Sequence, residues 1–76
     1  MIIEGFTSLE YKLLNILIDN KKHIVTKDFL IECIYNNTGN YVYDNTLRVY
    51  IKRMRYKLNG LYNIKTVRGL GYYLDE

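Results

Sequence analysis

The chain of 76 residues has no proline, no tryptophan and a single cysteine, Cys33. One thiol excludes an internal disulfide and fits a reducing compartment, which makes the cytoplasm the expected location. No apolar run exceeds three residues, as in Ile16-Leu17-Ile18, far short of the roughly 18 that span a bilayer. Glu4 and Gly5 interrupt the apolar stretch that a secretory signal would need near the N-terminus. Linker-like tracts and internal repeats are also missing. What is present is a hydrophobic share of 49%, enough for a packed core and too much for a disordered tail. Natural domains rarely fall below about 50 residues, so residues 1–76 are read as one small domain. A chain this short buries only roughly 60% of its unfolded surface, which leaves it marginally stable.

Acids are absent too, but only locally. Between Asn45 and Leu74 there are seven basic residues, Arg48, Lys52, Arg53, Arg55, Lys57, Lys65 and Arg68, and no Asp or Glu. The rest of the chain holds four lysines and all eight acids, so the net charge of +3 conceals a basic C-terminal half. Charge segregated in this way suggests a polyanionic partner for that half; a solvated basic face is the plainer alternative.

Local patterns give the order of elements. Residues 1–5 read as a strand fragment. Thr7 and Glu10 stand at the spacing of a capping box, with Phe6 and Tyr11 placed for a hydrophobic staple. The stripe of Leu9, Leu13, Leu14, Leu17 and Ile18 makes this a helix that ends near Asp19-Asn20. Ile24-Val25 is a short β-branched pair. Thr26 caps a second helix, with Asp28 in its first turn. Its buried face is Phe29, Leu30, Cys33 and Ile34, and it runs to about Tyr35. Residues 36–40 have loop chemistry, and Tyr41-Val42-Tyr43 fits a short strand or an ordered loop. Asp44 or Asn45 caps a third helix whose apolar seam is Leu47, Ile51, Met54 and Leu58. Asn59-Gly60 stops it, with Gly60 free to turn left-handed. Residues 64–74 then read as a β-hairpin whose turn relies on Gly69 and Gly71 for positive φ angles. Three helices with a terminal hairpin, and a short strand able to pair with it, make an α+β winged helix-turn-helix. The third helix is the natural probe and the hairpin the wing.

At about 100° per residue, a third helix packed by its seam turns Val49, Lys52, Arg53 and Tyr56 outward. Asn45 stands at the N-terminal end of that face. Arg48, Lys52 and Arg55 stripe one flank, and Lys57 lies on the other. Such a helix fits the DNA major groove, where arginine pairs with guanine and valine meets a thymine methyl. Flanking cations meet phosphates. A face kept basic only for solubility would interleave acids as i,i+4 partners, and this one has none. Lys65, Thr66 and Arg68 extend the same surface along the hairpin.

At this point the residues resemble a known family, the C-terminal DNA-binding domains of OmpR/PhoB-type response regulators. These are winged-helix transcription factors of bacterial two-component phosphorelay systems. Phe6-Thr7-Ser8-Leu9-Glu10-Tyr11-Lys12-Leu13-Leu14 is similar to the family's L-T-x-x-E-[FY]-x-L-L. Leu47-Arg48-Val49-Tyr50-Ile51-Lys52-Arg53-Met54-Arg55-Tyr56-Lys57-Leu58 is similar to V-D-V-H-I-x-R-L-R-x-K-L. Thr66-Val67-Arg68-Gly69-Leu70-Gly71-Tyr72 is similar to T-V-R-G-x-G-Y. The resemblance implies sequence-specific binding of double-stranded DNA in transcription regulation. A recognition helix of about 45–58 enters the major groove, and a wing of 64–74 meets the minor groove. It implies that Arg53 reaches bases, that Lys52 and Arg55 meet backbone or flanking bases, and that Arg68 enters the adjacent minor groove. It further implies RNA polymerase as a partner through the loop at 36–43, and an isolated domain that is monomeric and pairs on tandem half-sites. Two departures stand out. Arg48 replaces the family's usual acid, and the family's N-terminal four-stranded sheet has no counterpart in residues 1–7. Without a phosphoacceptor receiver domain, the chain reads as an excised effector domain or a protein lacking regulation in cis.

Other chemistries have little to stand on. His23 is alone in a turn, and Cys33 lies on a buried stripe, so no metal site is expected. Gly69-Leu70-Gly71 lacks the lysine, hydroxyl residue and following helix of a phosphate loop. Tyr41, Tyr43, Tyr72 and Tyr73 can stack on single-stranded bases, but packing between wing and helices is the preferred reading. No nucleophile, acid and base are grouped in the basic half, so neither catalysis nor a cofactor is expected. A protein-interaction winged helix docking on RNA polymerase or another factor is the alternative, and an RNA-binding module a third class.

Overall fold

Thr7 starts the first helix, α1 (Ser8–Asp19), through the reciprocal bonds its spacing implies. The Glu10 backbone N–H donates to Thr7 Oγ1 at 3.1 Å, and the Thr7 N–H donates to Glu10 Oε1 at 2.9 Å. Phe6 and Tyr11 form the staple, with ring centroids 5.2 Å apart. The computed structural model describes residues 2–75, so Met1 and Glu76 lie outside the described residues.

Residues 2–5 form no strand; a turn at Glu4 and Gly5 replaces the expected fragment. The Tyr11 hydroxyl explains why. It accepts from Ile3 N at 2.6 Å and donates to Ile3 O at 3.2 Å. Both backbone groups of Ile3 are thereby satisfied by a side chain, and Ile3 is buried against the core.

After α1 come β1 (Val25–Thr26), α2 (Lys27–Thr38), α3 (Asp44–Leu58), β2 (Ile64–Val67) and β3 (Gly71–Leu74). The sheet order is β1-β3-β2, antiparallel throughout. Ile64 faces Leu74, Val67 faces Gly71, and Val25 faces Tyr72. Leu13, Leu14 and Leu17 of α1, Leu30 and Ile34 of α2, the whole α3 seam, and Val25, Ile64, Tyr72 and Leu74 of the sheet meet in one core.

Four local expectations need correction. Helix α2 runs three residues beyond Tyr35, because Asn37 Nδ2 and Thr38 Oγ1 donate to the carbonyls of Cys33 and Ile34, four residues back. Polar side chains there lean on the helix instead of ending it, and Gly39, with φ of 77°, makes the exit. Phe29 is 51% exposed and Cys33 only partly buried, so Leu30 and Ile34 form the inner face of α2. Helix α3 has Tyr43 as its cap residue, with no side-chain cap bond; the Asp44 carboxylate is instead drawn 2.7 Å from Lys27 Nζ. Gly71 has no positive φ. It lies within β3, where an added Cβ would strike the Val25 carbonyl and come within 2.8 Å of Thr26 Cα. Glycine is required there for the close approach of β1, while Gly69, with φ of 74°, alone supplies the left-handed turn residue.

Candidate nucleic-acid interface

The seam of α3 is buried at Leu47, Ile51, Met54 and Leu58, and this fixes what the opposite side presents. Asn45, Arg48, Val49, Lys52, Arg53 and Tyr56 are all exposed. Tyr56, at 86%, is almost wholly free. Val49, Lys52, Arg53 and Tyr56 line one shallow depression, with Lys57 at its edge. Asn45, Val49 and Arg53 line a second, toward the N-terminal end. The helix thus offers an unbroken polar and cationic ridge with two apolar spots, a shape and chemistry suited to base edges and thymine methyls.

Two cations of the basic stretch have structural partners. Arg55 spans from α3 to the wing, its Nε donating to Ile64 O at 2.9 Å and its Nη2 to Thr66 Oγ1 at 2.8 Å. Helix α3 and the wing are therefore tied by a side chain that the family resemblance assigns to the DNA backbone or flanking bases. Thr66, also a candidate site residue, receives that bond. Lys57 turns away from the outward ridge and meets Glu10, 2.8 Å from Oε1. Glu10 is the one buried charged residue among the described residues. Burial alone would push its carboxyl up. The Lys57 ammonium and the hydrogen bonds at Thr7 outweigh that and hold it below its ordinary value.

The wing carries Lys65 and Arg68, both exposed. A turn bond from Leu70 N to Val67 O, 3.0 Å long, closes the hairpin with Arg68, Gly69 and Leu70 at its tip. The tip is tied to the start of α2, where Lys27 N donates to Leu70 O at 2.9 Å. A cleft opens between wing and α3, and Lys27, Asp44, Arg48, Thr66 and Arg68 stand in its walls. Lys27 is absent from the sequence-derived site. Nothing in the linear charge pattern marks it, because only the pairing of β1 with β3 brings it beside the wing. The adjacency of Lys27 to the cap Thr26 is the one signal that could have placed it at an element boundary.

His23 is exposed. Among the described residues no group of three His, Cys, Asp or Glu side chains is arranged to hold a metal. Burial pushes the Cys33 thiol up, away from thiolate reactivity. No helix is long and apolar enough to cross a membrane among the described residues.

This architecture has known counterparts. The family model described as "Transcriptional regulatory protein, C terminal" matches residues 5–74. The heme response regulator HssR of Staphylococcus epidermidis is 43% identical over 72 residues, covering 88% of this chain and 31% of HssR. The chain spans about a third of the length of such curated relatives. Among solved structures, the C-terminal domain of the nisin resistance regulator NsrR, a lantibiotic response regulator, aligns with a TM-score of 0.74 at 38% identity. That match covers 91% of this chain and 71% of that one. The DNA-binding domain of Bacillus subtilis CssR aligns with a TM-score of 0.78 over 92% of this chain and 77% of that one; at 23% identity it speaks for the fold. With three helices and a three-stranded sheet among the described residues, and an exposed basic α3, the chain belongs to the family of C-terminal domains of transcriptional regulatory proteins, winged-helix DNA-binding domains of the response-regulator type and not enzymes.

Proposed function

We propose that this chain is the effector domain of a bacterial two-component response regulator, working in the cytoplasm. It reads operator DNA with α3 in the major groove and the wing at the neighbouring minor groove. The observation that carries this reading is the exposed face of α3. Among the described residues, Asn45, Val49, Arg53 and Tyr56 stand exposed and free of side-chain partners on the side opposite the buried seam, flanked by Arg48 and Lys52. Arg53 is the reading residue, and Lys52, Arg48 and Lys65 hold phosphates. Lys57 and Arg55 serve first as struts, since each is engaged within the protein. Residues 1–76 act as a single module, monomeric alone and paired on tandem half-sites.

The test separates reading from holding. Selection from random duplexes should yield one preferred site. On it, Arg53→Ala should cost about 1–3 kcal/mol and relax selectivity at one base pair. Lys65→Ala should weaken preferred and scrambled duplexes alike. Equal losses on both duplexes for Arg53→Ala would mean that Arg53 only holds phosphate.

A second surface favours RNA polymerase as a protein partner. The connection between α2 and α3 is shorter than the expected 36–43, since α2 continues to Thr38. It carries Tyr41 stacked on Tyr35, with centroids 4.2 Å apart, and Tyr43 at 86% exposure. Exposed Tyr41 and Phe29 beside Asp28 and Glu32 suit a basic protein segment better than DNA. Tyr43→Ala should reduce transcription activation without reducing DNA affinity.

A further inference from the structure

The cleft between α3 and the wing is a place where positive charge exceeds negative. Lys27 enters it from the start of α2, Arg48 from α3 and Arg68 from the wing, against Asp44 alone. Arg48 and Arg68 are exposed, and neither guanidinium has a protein hydrogen bond or ion pair among the described residues. Lys27 and Arg48 are close enough for their charges to oppose one another, with Asp44 holding Lys27 at 2.7 Å. Cations converging from three elements on one acid leave a seat for an anion. The Lys27–Asp44 pair is itself about a third exposed on the lysine side and more on the acid side, so it can open toward solvent.

We propose that this cleft seats a backbone phosphodiester of duplex DNA, and that Lys27 is a phosphate-binding residue which Asp44 holds in place until DNA arrives. The inference rests on the groove reading given above. A helix in a major groove and a wing reaching the adjacent minor groove stand on either side of the sugar-phosphate strand that separates the two. The cleft between them is where that strand passes. Arg48 and Lys27 meet its phosphates from the two walls, while Arg68 reaches past it at the tip. Lys27 exchanges the Asp44 carboxylate for the phosphate, so an acid that would otherwise repel DNA serves to hold the lysine in position for it.

The experiment measures affinity for a mixed-sequence DNA duplex at several salt concentrations, for the intact chain and for Lys27→Met, Arg48→Gln, Asp44→Asn and the Lys27→Met/Asp44→Asn double variant. Removing one phosphate-binding cation should make the log–log salt slope about 0.9 shallower, roughly a 3.5-fold smaller loss of affinity for each fourfold rise in salt. That change is expected for Lys27→Met and for Arg48→Gln. Asp44→Asn should tighten binding, and most of that gain should vanish when Lys27 is also replaced, because the acid acts through the lysine. Circular dichroism checks folding. Should Lys27→Met unfold, Lys27→Gln replaces it, and Arg48→Gln carries the cleft test independently, since the Arg48 guanidinium supports no hydrogen bond or ion pair of the fold among the described residues. Unchanged slopes for both Lys27 and Arg48 variants, with normal binding by the parent chain, would overturn the cleft. Additive effects of Asp44→Asn and Lys27→Met would overturn the exchange. Absence of salt-dependent binding by the parent chain would instead overturn the underlying DNA reading.

Discussion

Lys57 Nζ lies 2.8 Å from Oε1 and 3.1 Å from Oε2 of Glu10, joining the end of α3 to the start of α1 across 47 positions of sequence. Both residues belong to segments that resemble family motifs, and their meeting gives those motifs a physical reason. The capping glutamate of α1 is buried, and a buried carboxylate must be paired. Lys57→Met should therefore act on stability first. A loss of about 1–3 kcal/mol is expected from leaving the carboxylate without its cation. Denaturant titration checks it, and thermal melting should fall by about 4–8 °C for each kcal/mol of destabilisation.

The same pair sets an acid limit. Glu10 is held below its ordinary value of 4.5 in the folded chain. A lowered folded value means that its stabilisation is complete above the unfolded value and disappears as pH falls through the folded one. Urea midpoints taken from neutral to acidic pH should drop below about pH 4.5, the ordinary value of this carboxyl. Glu10→Gln should flatten part of that drop while lowering the midpoint at neutral pH. An identical acid limb in the variant would remove Glu10 from this role.

Two glycines of the wing should respond differently to the same substitution. Gly71→Ala places a methyl on the Val25 carbonyl, where backbone meets backbone and neither can yield cheaply. About 1–3 kcal/mol of destabilisation, as for other overpacked sites, is the expected minimum. Gly69→Ala meets open space, so only the positive φ opposes it, at about 1–2 kcal/mol. Amide exchange of Val25 and Thr26 should quicken in Gly71→Ala and stay slow in Gly69→Ala.

Arg68 stands exposed at the wing tip, with Gly69 supplying the turn. In a narrow A·T-rich minor groove it should gain from the enhanced negative potential without reading a unique base. Arg68→Ala should lower affinity most on duplexes with A·T-rich flanks. Arg68→Lys should recover part of the deficit, since lysine is the more strongly hydrated cation. Equal losses on A·T-rich and G·C-rich flanks would assign Arg68 to phosphate instead.

Much of the fold is legible in the chain because it rests on local rules. The Thr7–Glu10 box, the Leu47-Ile51-Met54-Leu58 seam and the 64–74 hairpin each depend on spacing alone, and each stands as expected. What stays hidden depends on tertiary neighbours. Spacing makes Asp44 or Asn45 a cap, yet Tyr43 takes that position and Asp44 is drawn to Lys27, 17 positions away. Gly71 looks like a turn residue, although its constraint comes from β1, a strand of only two residues. Arg55 and Lys57 look like phosphate ligands because their charges face no acid locally. Their partners are a strand carbonyl and threonine in one case and a helix-capping glutamate in the other. Charge counting finds the basic surface and cannot sort struts from phosphate-binding cations.

Arg48, Lys52 and Lys65, with Lys27 beside them, are the proposed phosphate ligands of duplex DNA, while Arg53 meets bases and Arg68 the minor groove. The dependence of duplex affinity on salt, on preferred and scrambled sequences, probes that assignment without an intermediary. With about four phosphates engaged, the log–log slope should be roughly −4 on the preferred duplex, with affinity falling to the micromolar range or weaker on the scrambled one. A slope near zero, or equal affinity for both duplexes at every salt concentration, would contradict it.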